Sequence, residues 1–214
     1  MSSISGIDGL YPTIKIIKHT NKIAIANKES IICAWNLIQN ELKKYKTKFV
    51  PVDSEHFSLW YALKNSSISD IEKIYLTASG GPLLKFPKSN SNNISLARAL
   101  KHPTWSMGKK ISIDSCTMMN KVFEVIEAKH LFNLPYDRIS ILTHPNSYIH
   151  AIIKFKNGLV KIIAHDTTMK IPIFNTINSD NNSIFKSDNL NLKKLNNLDL
   201  KLVNYNLFPL VNIL

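Results

Sequence analysis

Cysteine, arginine and long apolar runs are scarce in this sequence of 214 residues, and each scarcity excludes a class of protein. The two cysteines, Cys33 and Cys116, lie far apart, so neither a disulfide framework nor a zinc site of paired cysteines is available. No apolar run approaches the roughly 18 residues of a membrane span, and the amino terminus has no secretory signal pattern. We therefore expect a cytoplasmic protein, or an organellar one if a targeting segment is missing, with no membrane partner.

The net charge of +12 comes almost entirely from lysine, because Arg98 and Arg138 are the only arginines. A strongly basic chain often binds nucleic acid. Side chains that read bases and phosphates are mostly arginine, however, and the lysines here are spread along the chain. We interpret the charge as a solvated lysine surface and expect no nucleic-acid partner; strong salt-dependent binding to DNA would favour the alternative.

Short β-branched runs alternate with helical patterns in the first half of the chain. The patterns predict strands at 22–27, 48–52 and 73–77, and helices at 29–44 and 57–63. A polar motif follows each strand: Asn27-Lys28-Glu29-Ser30, Asp53-Ser54-Glu55-His56 and Ser79-Gly80-Gly81-Pro82. This alternation favours an α/β fold with its chemistry at the strand ends.

The strongest helical pattern runs from 115 to 132, after a short predicted strand at 111–114. Its apolar residues share one face, whereas Lys121, Glu124 and Glu127 lie on the opposite one. We expect the first face to pack and the second to offer polar groups.

The second half of the chain is rich in β patterns and then becomes polar. Strands are predicted at 138–143 and 148–155, and Asn157-Gly158 indicates a β-hairpin in a mixed sheet.

Two segments rich in Asn, Ser and Lys are typical of irregular structure. One predicts an exposed, mobile loop at 86–95. The other divides the chain into a catalytic domain, 1–175, and a poorly ordered linker with a carboxyl-terminal remnant, 176–214.

Asp53 and Glu55 have the spacing of two metal ligands, because residues two apart in an extended segment point to the same side. With a third carboxylate from elsewhere, for which Glu124 is a candidate, they can hold Mg²⁺ or Mn²⁺. The alternative is that Asp53 caps the following helix and Glu55 adds charge to its first turn.

Two groups of residues suit a phosphate. Ser79 and the glycines after it offer a hydroxyl and accessible backbone amides, although a plain turn is the alternative. Ser115, Asn120 and Lys121 can also surround an anion if Ser115 begins a helix; the alternative is capping, with Lys121 and Glu124 as a surface pair.

The segment 102–108 carries His102, Trp105 and Met107 and can close over a ligand, although these residues are equally suited to packing. We interpret His144 and His150 as structural.

Five motifs taken together, in order and spacing, resemble 1-deoxy-D-xylulose 5-phosphate reductoisomerase, an enzyme of the non-mevalonate isoprenoid pathway. The resemblance covers about residues 4–172 and rests on these runs: Ala26-Asn27-Lys28-Glu29-Ser30, Pro51-Val52-Asp53-Ser54-Glu55-His56, Ser79-Gly80-Gly81-Pro82, Leu100 to Ile111 and Ile113 to Lys121. It implies isomerisation of a ketose phosphate followed by reduction with NADPH.

The resemblance also implies roles for individual residues. It implies a metal site for Mn²⁺ or Mg²⁺ at Asp53, Glu55 and Glu124, with Lys28, Glu55 and Glu124 as the catalytic residues. The substrate-binding residues that it implies are Lys28, Ser54, Ser79, His102, Trp105, Met107, Ser115, Asn120, Lys121 and Glu124. The NADPH-binding positions that it implies are Asn27, Glu29 and Gly108. Family members pair as homodimers, and the hairpin edge around 155–160 is suited to that contact.

The sequence departs from the family pattern in its glycines, which do not form the phosphate-binding fingerprint of a dinucleotide-binding domain. Val122, Cys116 and the run Thr167-Thr168-Met169-Lys170 also replace residues expected in the family. We therefore expect the central catalytic α/β part of the enzyme, lacking the Rossmann-type domain and inactive with NADPH on its own. The alternative is a non-catalytic remnant, or a subunit of a split enzyme that needs a separately encoded dinucleotide-binding half.

Overall fold

The fold is known from a computed structural model, which describes residues 1–84, 94–181 and 183–214. The predicted mobile loop at 86–95 lies outside the described residues except for its last two positions, so its mobility stays a prediction.

Strands and helices alternate through the described ranges. The strands are β1 (Lys22–Ile25), β2 (Lys48–Pro51), β3 (Ile71–Ala78), β4 (Ile139–Thr143), β5 (Ile149–Phe155), β6 (Val160–Ala164) and β7 (Lys201–Leu202). The helices are α1 (Leu10–Ile17), α2 (Lys28–Tyr45), α3 (Ser54–Leu63), α4 (Leu96–Ala99), α5 (Lys109–Cys116), α6 (Met119–Phe132), α7 (Lys170–Ile177) and α8 (Leu192–Asn196).

The larger sheet is mixed and has the strand order β6-β5-β3-β4-β7 in the described residues. Its central strand β3 pairs in parallel with β4 and antiparallel with β5. The predicted hairpin joins β5 to β6, and Gly158 at its tip has φ +86°, which a glycine adopts without steric cost. The α/β fold with a mixed sheet and a hairpin is thereby confirmed.

A second, two-stranded parallel sheet joins β1 to β2 through α2. The side chain of Asn27 accepts a hydrogen bond from the backbone N–H of Ser30 and so caps α2, as the polar motif after the strand suggests. Ile23, Ile31 and Ile38 form a small separate core between this sheet and its helices. The motif at Asn27 to Ser30 is therefore fixed at a rigid strand-to-helix junction.

The main core lies against the five-stranded sheet, with α3 packed on β5 and β6 and α6 packed on β3 and β4. Leu76 of β3 and Val122 of α6 are completely buried in it. Phe208 and Val211, near the carboxyl end, also pack in this core. Burying side chains of this size stabilises the fold by roughly 1.5–3 kcal/mol each.

The predicted strand at 111–114 is wrong, because these residues lie within the helix α5. The alternation of Ile111 and Ile113 suggested a strand, yet the buried residue here is Ser112, whose hydroxyl donates to the backbone carbonyl of Gly108. The buried Ser112 hydroxyl, which finds its acceptor one helical turn earlier, thus outweighs the period of two.

The predicted helix at 115–132 begins later, because Met118 has a left-handed φ of +64° and separates α5 from α6. Ser115 therefore lies in the last turn of α5, and the prediction that it begins a helix is wrong. The polar face of α6 is also not a solvated one, since Lys121, Glu124 and Glu127 are all buried. Among the helices of the described ranges, none combines the length and hydropathy that a bilayer crossing needs.

Candidate active site

A cleft of about 260 Å³ opens where β1, β2 and β3 end and where α5 meets α6. Its size is close to the lower end for small-molecule sites, roughly 300–1,000 Å³. The metal and substrate residues predicted from the sequence all line it: Lys28, Asp53, Ser54, Glu55, Ser79, His102, Trp105, Met107, Ser115, Asn120, Lys121 and Glu124. Residues far apart in sequence therefore meet in one cavity.

The three predicted metal ligands converge within this cleft. One carboxylate oxygen from each of Asp53, Glu55 and Glu124 lies within 4.8 Å of the others. Oxygens bound to one Mg²⁺ at about 2.1 Å are at most about 4.2 Å apart, so small rotations suffice to close the site on an ion. The donor set consists of the hard oxygen ligands that Mg²⁺ and Mn²⁺ favour, and it fits such an ion.

The capping interpretation of Asp53 is confirmed, whereas its role as a metal ligand stays a prediction. Its side chain accepts a 3.3 Å hydrogen bond from the backbone N–H of Glu55 and so caps α3, whose first turn contains Glu55. The capping geometry is what brings the two carboxylates to the same end of the helix. The cap and the metal group are therefore one arrangement.

Two buried lysines neutralise the carboxylates. The Lys28 ammonium lies 2.8 Å from Asp53 Oδ2 and 3.1 Å from Glu124 Oε1. The Lys121 ammonium lies 2.9 Å from Glu55 Oε1 and also pairs with Glu124. Because α6 supplies both Lys121 and Glu124, one turn of helix sets their spacing.

These contacts shift the pKa values in the cleft. Burial and the neighbouring Glu124 raise the pKa of Glu55 to about 8. Burial lowers the pKa of Lys28, but the charges of Asp53 and Glu124 outweigh it and the pKa ends well above its usual value. Burial raises the pKa of Asp53, yet Lys28 and His56 together outweigh burial and hold that pKa well below normal. Because three carboxylates face only two ammonium groups, the cleft can accept a further positive charge.

His56 joins this cluster through Asp53 and the backbone of Glu124. Its ring is fully buried, with Nε2 2.8 Å from the backbone carbonyl of Glu124 and Nδ1 3.4 Å from both Asp53 Oδ1 and Glu127 Oε2. Burial lowers the pKa of His56, but Glu127 and Asp53 raise it to about 9. Burial raises the pKa of Glu127 to about 7. From the sequence, Glu127 has no predicted role beyond its place on the polar face of α6.

Ser79 and His102 form the opposite wall of the cleft. His102 Nδ1 accepts hydrogen bonds from the backbone N–H groups of Thr104 and Trp105, so the proton of the neutral ring lies on Nε2. Nε2 then donates to Ser79 Oγ at 2.9 Å, and Oγ also accepts from the Gly81 N–H at 3.0 Å. Burial lowers the pKa of His102, which favours this neutral form. The Ser79 hydroxyl proton remains available to an anion.

The three predicted cofactor positions lie beside the cleft but do not line it. Asn27 uses its amide to hold the backbone carbonyls of Ile4 and Gly6. Glu29 pairs with Lys110 at 2.6 Å, and Gly108 precedes the first turn of α5. Their role in binding NADPH stays a prediction.

Several residues that line the cleft had no predicted role in it, among them Ser147, His150 and Met169. His150, interpreted from the sequence as structural, stacks on His165 with ring centroids 3.7 Å apart and lies edge-on to Trp105. Its place on β5 next to the cleft depends on the pairing of β5 with β3, which the sequence does not specify.

Comparison with known proteins identifies relatives of this chain. The family model of the 1-deoxy-D-xylulose 5-phosphate reductoisomerase C-terminal domain matches residues 49–132, and that of 1-deoxy-D-xylulose 5-phosphate reductoisomerase matches residues 1–35. The reductoisomerase of Pelagibacter ubique is 66% identical over 177 residues, which are 83% of this chain and 46% of that protein. That of Persephonella marina is 42% identical over 213 residues, 100% of this chain and 56% of that protein.

Solved structures give the same result. The enzyme from Zymomonas mobilis in complex with NADPH superposes with a TM-score of 0.89 at 33% identity, over 99% of this chain and 55% of that one. A reductoisomerase in complex with NADPH, fosmidomycin and magnesium has a TM-score of 0.90, also at 33% identity, over 99% and 54%. The chain thus spans about half the length of the curated relatives it matches.

Proposed function

We propose that this chain, which belongs to the 1-deoxy-D-xylulose 5-phosphate reductoisomerase family, forms the metal- and substrate-binding part of an enzyme that isomerises a ketose phosphate and reduces the product with NADPH. One observation carries the proposal: three carboxylates, two lysines and a serine–histidine pair meet in a single cleft. Burying so many charges is costly, which favours a functional over a purely structural role for this cleft.

The carboxylates of Asp53, Glu55 and Glu124 are the proposed ligands of Mg²⁺ or Mn²⁺. Such an ion supplies Lewis-acid stabilisation of charge on substrate oxygens and a template for their orientation. Lys28 and Lys121 share these carboxylates in the structure described here, so both ammonium groups are close enough to hold substrate oxygens once the carboxylates turn to a ligand.

The phosphate group of the substrate is the proposed ligand of Ser79, whose hydroxyl is oriented by His102 and by the Gly81 N–H. Ser115 and Asn120 line the cleft as well, and Lys121 supplies positive charge. Anchoring a phosphate at a fixed distance from the carboxylates restricts the orientation of the reacting carbons, which lowers the entropic part of the barrier.

Trp105 and Met107 are the proposed cover of the bound substrate. They lie on the irregular segment between α4 and α5, where the Trp105 N–H donates a hydrogen bond to the His102 ring. Large apolar side chains over the cleft exclude water and strengthen the electrostatic contacts beneath them.

For NADPH we propose that Asn27, Glu29 and Gly108 contribute one side of the site. We further propose a cytoplasmic homodimer that uses the edge strand β6, since Val160 and Ile162 of that strand are about half exposed. Light scattering tests the dimer: Ile162→Lys is expected to yield monomers, and an unchanged mass contradicts this interface.

The central experiment measures NADPH consumption with 1-deoxy-D-xylulose 5-phosphate and Mn²⁺, using the chain alone and with a separately supplied dinucleotide-binding half. Activity only with the added half supports the proposal and a split enzyme; failure of both mixtures favours a non-catalytic remnant. Glu55→Gln is expected to lower the rate at least 100-fold by removing a metal ligand. Glu72→Gln, which changes an exposed carboxylate of β3, is the matched control and is expected to keep full activity.

A further inference from the structure

His56 has more hydrogen-bond acceptors around it than it has hydrogens. Nε2 lies 2.8 Å from the backbone carbonyl of Glu124, and because a carbonyl only accepts, Nε2 carries a hydrogen. Nδ1 lies 3.4 Å from Asp53 Oδ1 and equally far from Glu127 Oε2. An unprotonated Nδ1 would direct its lone pair at two carboxylates, so Nδ1 carries a hydrogen as well. One N–H thus faces two carboxylates, and among the described residues neither contact has the geometry of a hydrogen bond.

Glu127 is placed for this contact and for little else. It is 1% exposed, and within the described residues Oε2 has no hydrogen-bond partner of good geometry. It lies one helical turn after Glu124 on α6, so the same helix presents one proposed metal ligand and the carboxylate behind His56. A buried carboxylate oxygen without a hydrogen-bond partner destabilises the fold, so its presence here indicates a role in the site.

We propose that Glu127 is a positioning residue of the metal site, which accepts the Nδ1–H of His56 when Asp53 turns to a divalent cation. The inference rests on the proposed function, because it assumes that Asp53 is a metal ligand. With Glu127 present, the Nδ1–H of His56 keeps a carboxylate within reach after Asp53 turns away, and its Nε2–H stays on the Glu124 carbonyl. Without Glu127, each cation that binds Asp53 leaves a buried N–H unpaired, and that penalty lowers metal affinity.

Two contacts hold the imidazole ring of His56 in place. His56 stacks on Phe132 at 6.5 Å between centroids, and the ring nitrogens lie on opposite sides of the imidazole. Rotation of the ring would break the contact with the Glu124 carbonyl. The ring therefore stays in place, and small movements of the Asp53 and Glu127 carboxylates decide which of them accepts the Nδ1–H.

The test is the affinity of the 214-residue chain for Mn²⁺, measured by calorimetry and by electron paramagnetic resonance of the free ion. Glu127→Met, which keeps the length of the side chain and removes the acceptor, is expected to weaken Mn²⁺ binding roughly 10- to 100-fold, as for other groups that orient metal ligands. Glu127→Gln keeps an accepting oxygen and is expected to recover most of that loss. In a His56→Phe background, Glu127→Met is expected to change the affinity less than about twofold.

The outcomes separate this inference from the proposed function. A parent chain that does not bind Mn²⁺ contradicts the metal site itself. A parent chain and a Glu127→Met variant with equal Mn²⁺ affinity overturn only the role of Glu127, as does an equal loss in the His56→Phe background.

If Glu127→Met does not fold, NMR of the parent chain tests the same inference. Saturation with Mg²⁺ is expected to shift the Nδ1–H resonance of His56, and an unshifted resonance overturns the inference.

Discussion

Replacing Gly81 with alanine is expected to destabilise the fold by a calculable amount. Gly81 has φ +62°, a conformation that costs an alanine about 1–2 kcal/mol. A Cβ atom there would lie 2.8 Å from the Ser115 carbonyl oxygen and 3.2 Å from Cys116 Cα. Both are backbone atoms at the end of α5, so relief requires moving a helix, at roughly 1–3 kcal/mol. Together these contributions lower the free energy of unfolding by about 2–5 kcal/mol.

Gly158→Ala separates the two contributions. Gly158 has φ +86°, but a Cβ there would meet nothing within 4 Å, so only the conformational cost of about 1–2 kcal/mol applies. In a chain of this size each kcal/mol shifts the thermal midpoint by roughly 2–4 °C. We therefore expect Gly81→Ala to melt about 2–12 °C below Gly158→Ala.

Urea and thermal unfolding followed by circular dichroism measure both variants against the parent chain. Equal losses in the two variants would refute the contact between Gly81 and α5. Because Ser79 accepts from the Gly81 N–H and Ser115 lines the cleft, we also expect Gly81→Ala to weaken inorganic phosphate binding severalfold.

Three further predictions concern single side chains. Asn27→Ala removes the cap of α2 and the hydrogen bonds to the backbone carbonyls of Ile4 and Gly6, so it is expected to lower the free energy of unfolding in urea by about 2–4 kcal/mol. The control Asn191→Ala, at the exposed start of α8, is expected to lower it by less than about 1 kcal/mol. Burial lowers the pKa of His144, so below about pH 6.5 the unfolded chain binds a proton that the folded chain does not. Relative to His144→Asn, the parent is therefore expected to lose stability as the pH falls from 7.5 to 5.5. A stability difference that stays constant over this range would contradict the pKa shift. Iodoacetamide is expected to modify the exposed Cys33 well before Cys116, whose thiol pKa burial raises, and equal rates would show that Cys116 is accessible.

The sequence predicted most of the first half of the fold because its periods are clear there. The strands at β1, β2 and β3 and the motifs after them follow from β-branched runs and capping residues. The convergence of Asp53 with Glu124 could not be predicted from spacing alone, since it depends on α6 packing against the sheet. Only the resemblance to a family linked these two residues in advance.

The predictions that proved wrong concern α5 and its junction with α6. Ser112 breaks the apolar period of α5, and Met118 in a left-handed conformation divides what reads as one helix. The contacts of Glu127 and His150 could not be predicted, because a single charged or aromatic residue on a predicted helix or strand is usually exposed or structural. Their neighbours in space, His56 and His165, are distant in sequence and become visible only in the folded chain.

The position of β3 in the sheet has a consequence for how the chain is made. β3 is complete at residue 78, but its partners β4 and β5 are synthesised only after residue 139. Contacts of such long sequence separation form slowly, whereas the β5–β6 hairpin closes locally. During synthesis the apolar residues of β3 are therefore exposed while α4, α5 and α6, three of the eight helices in the described ranges, emerge. The cleft is assembled only after β5 has left the ribosome. Aggregation is therefore more favoured during synthesis, while β3 is unpaired, than after the sheet has formed.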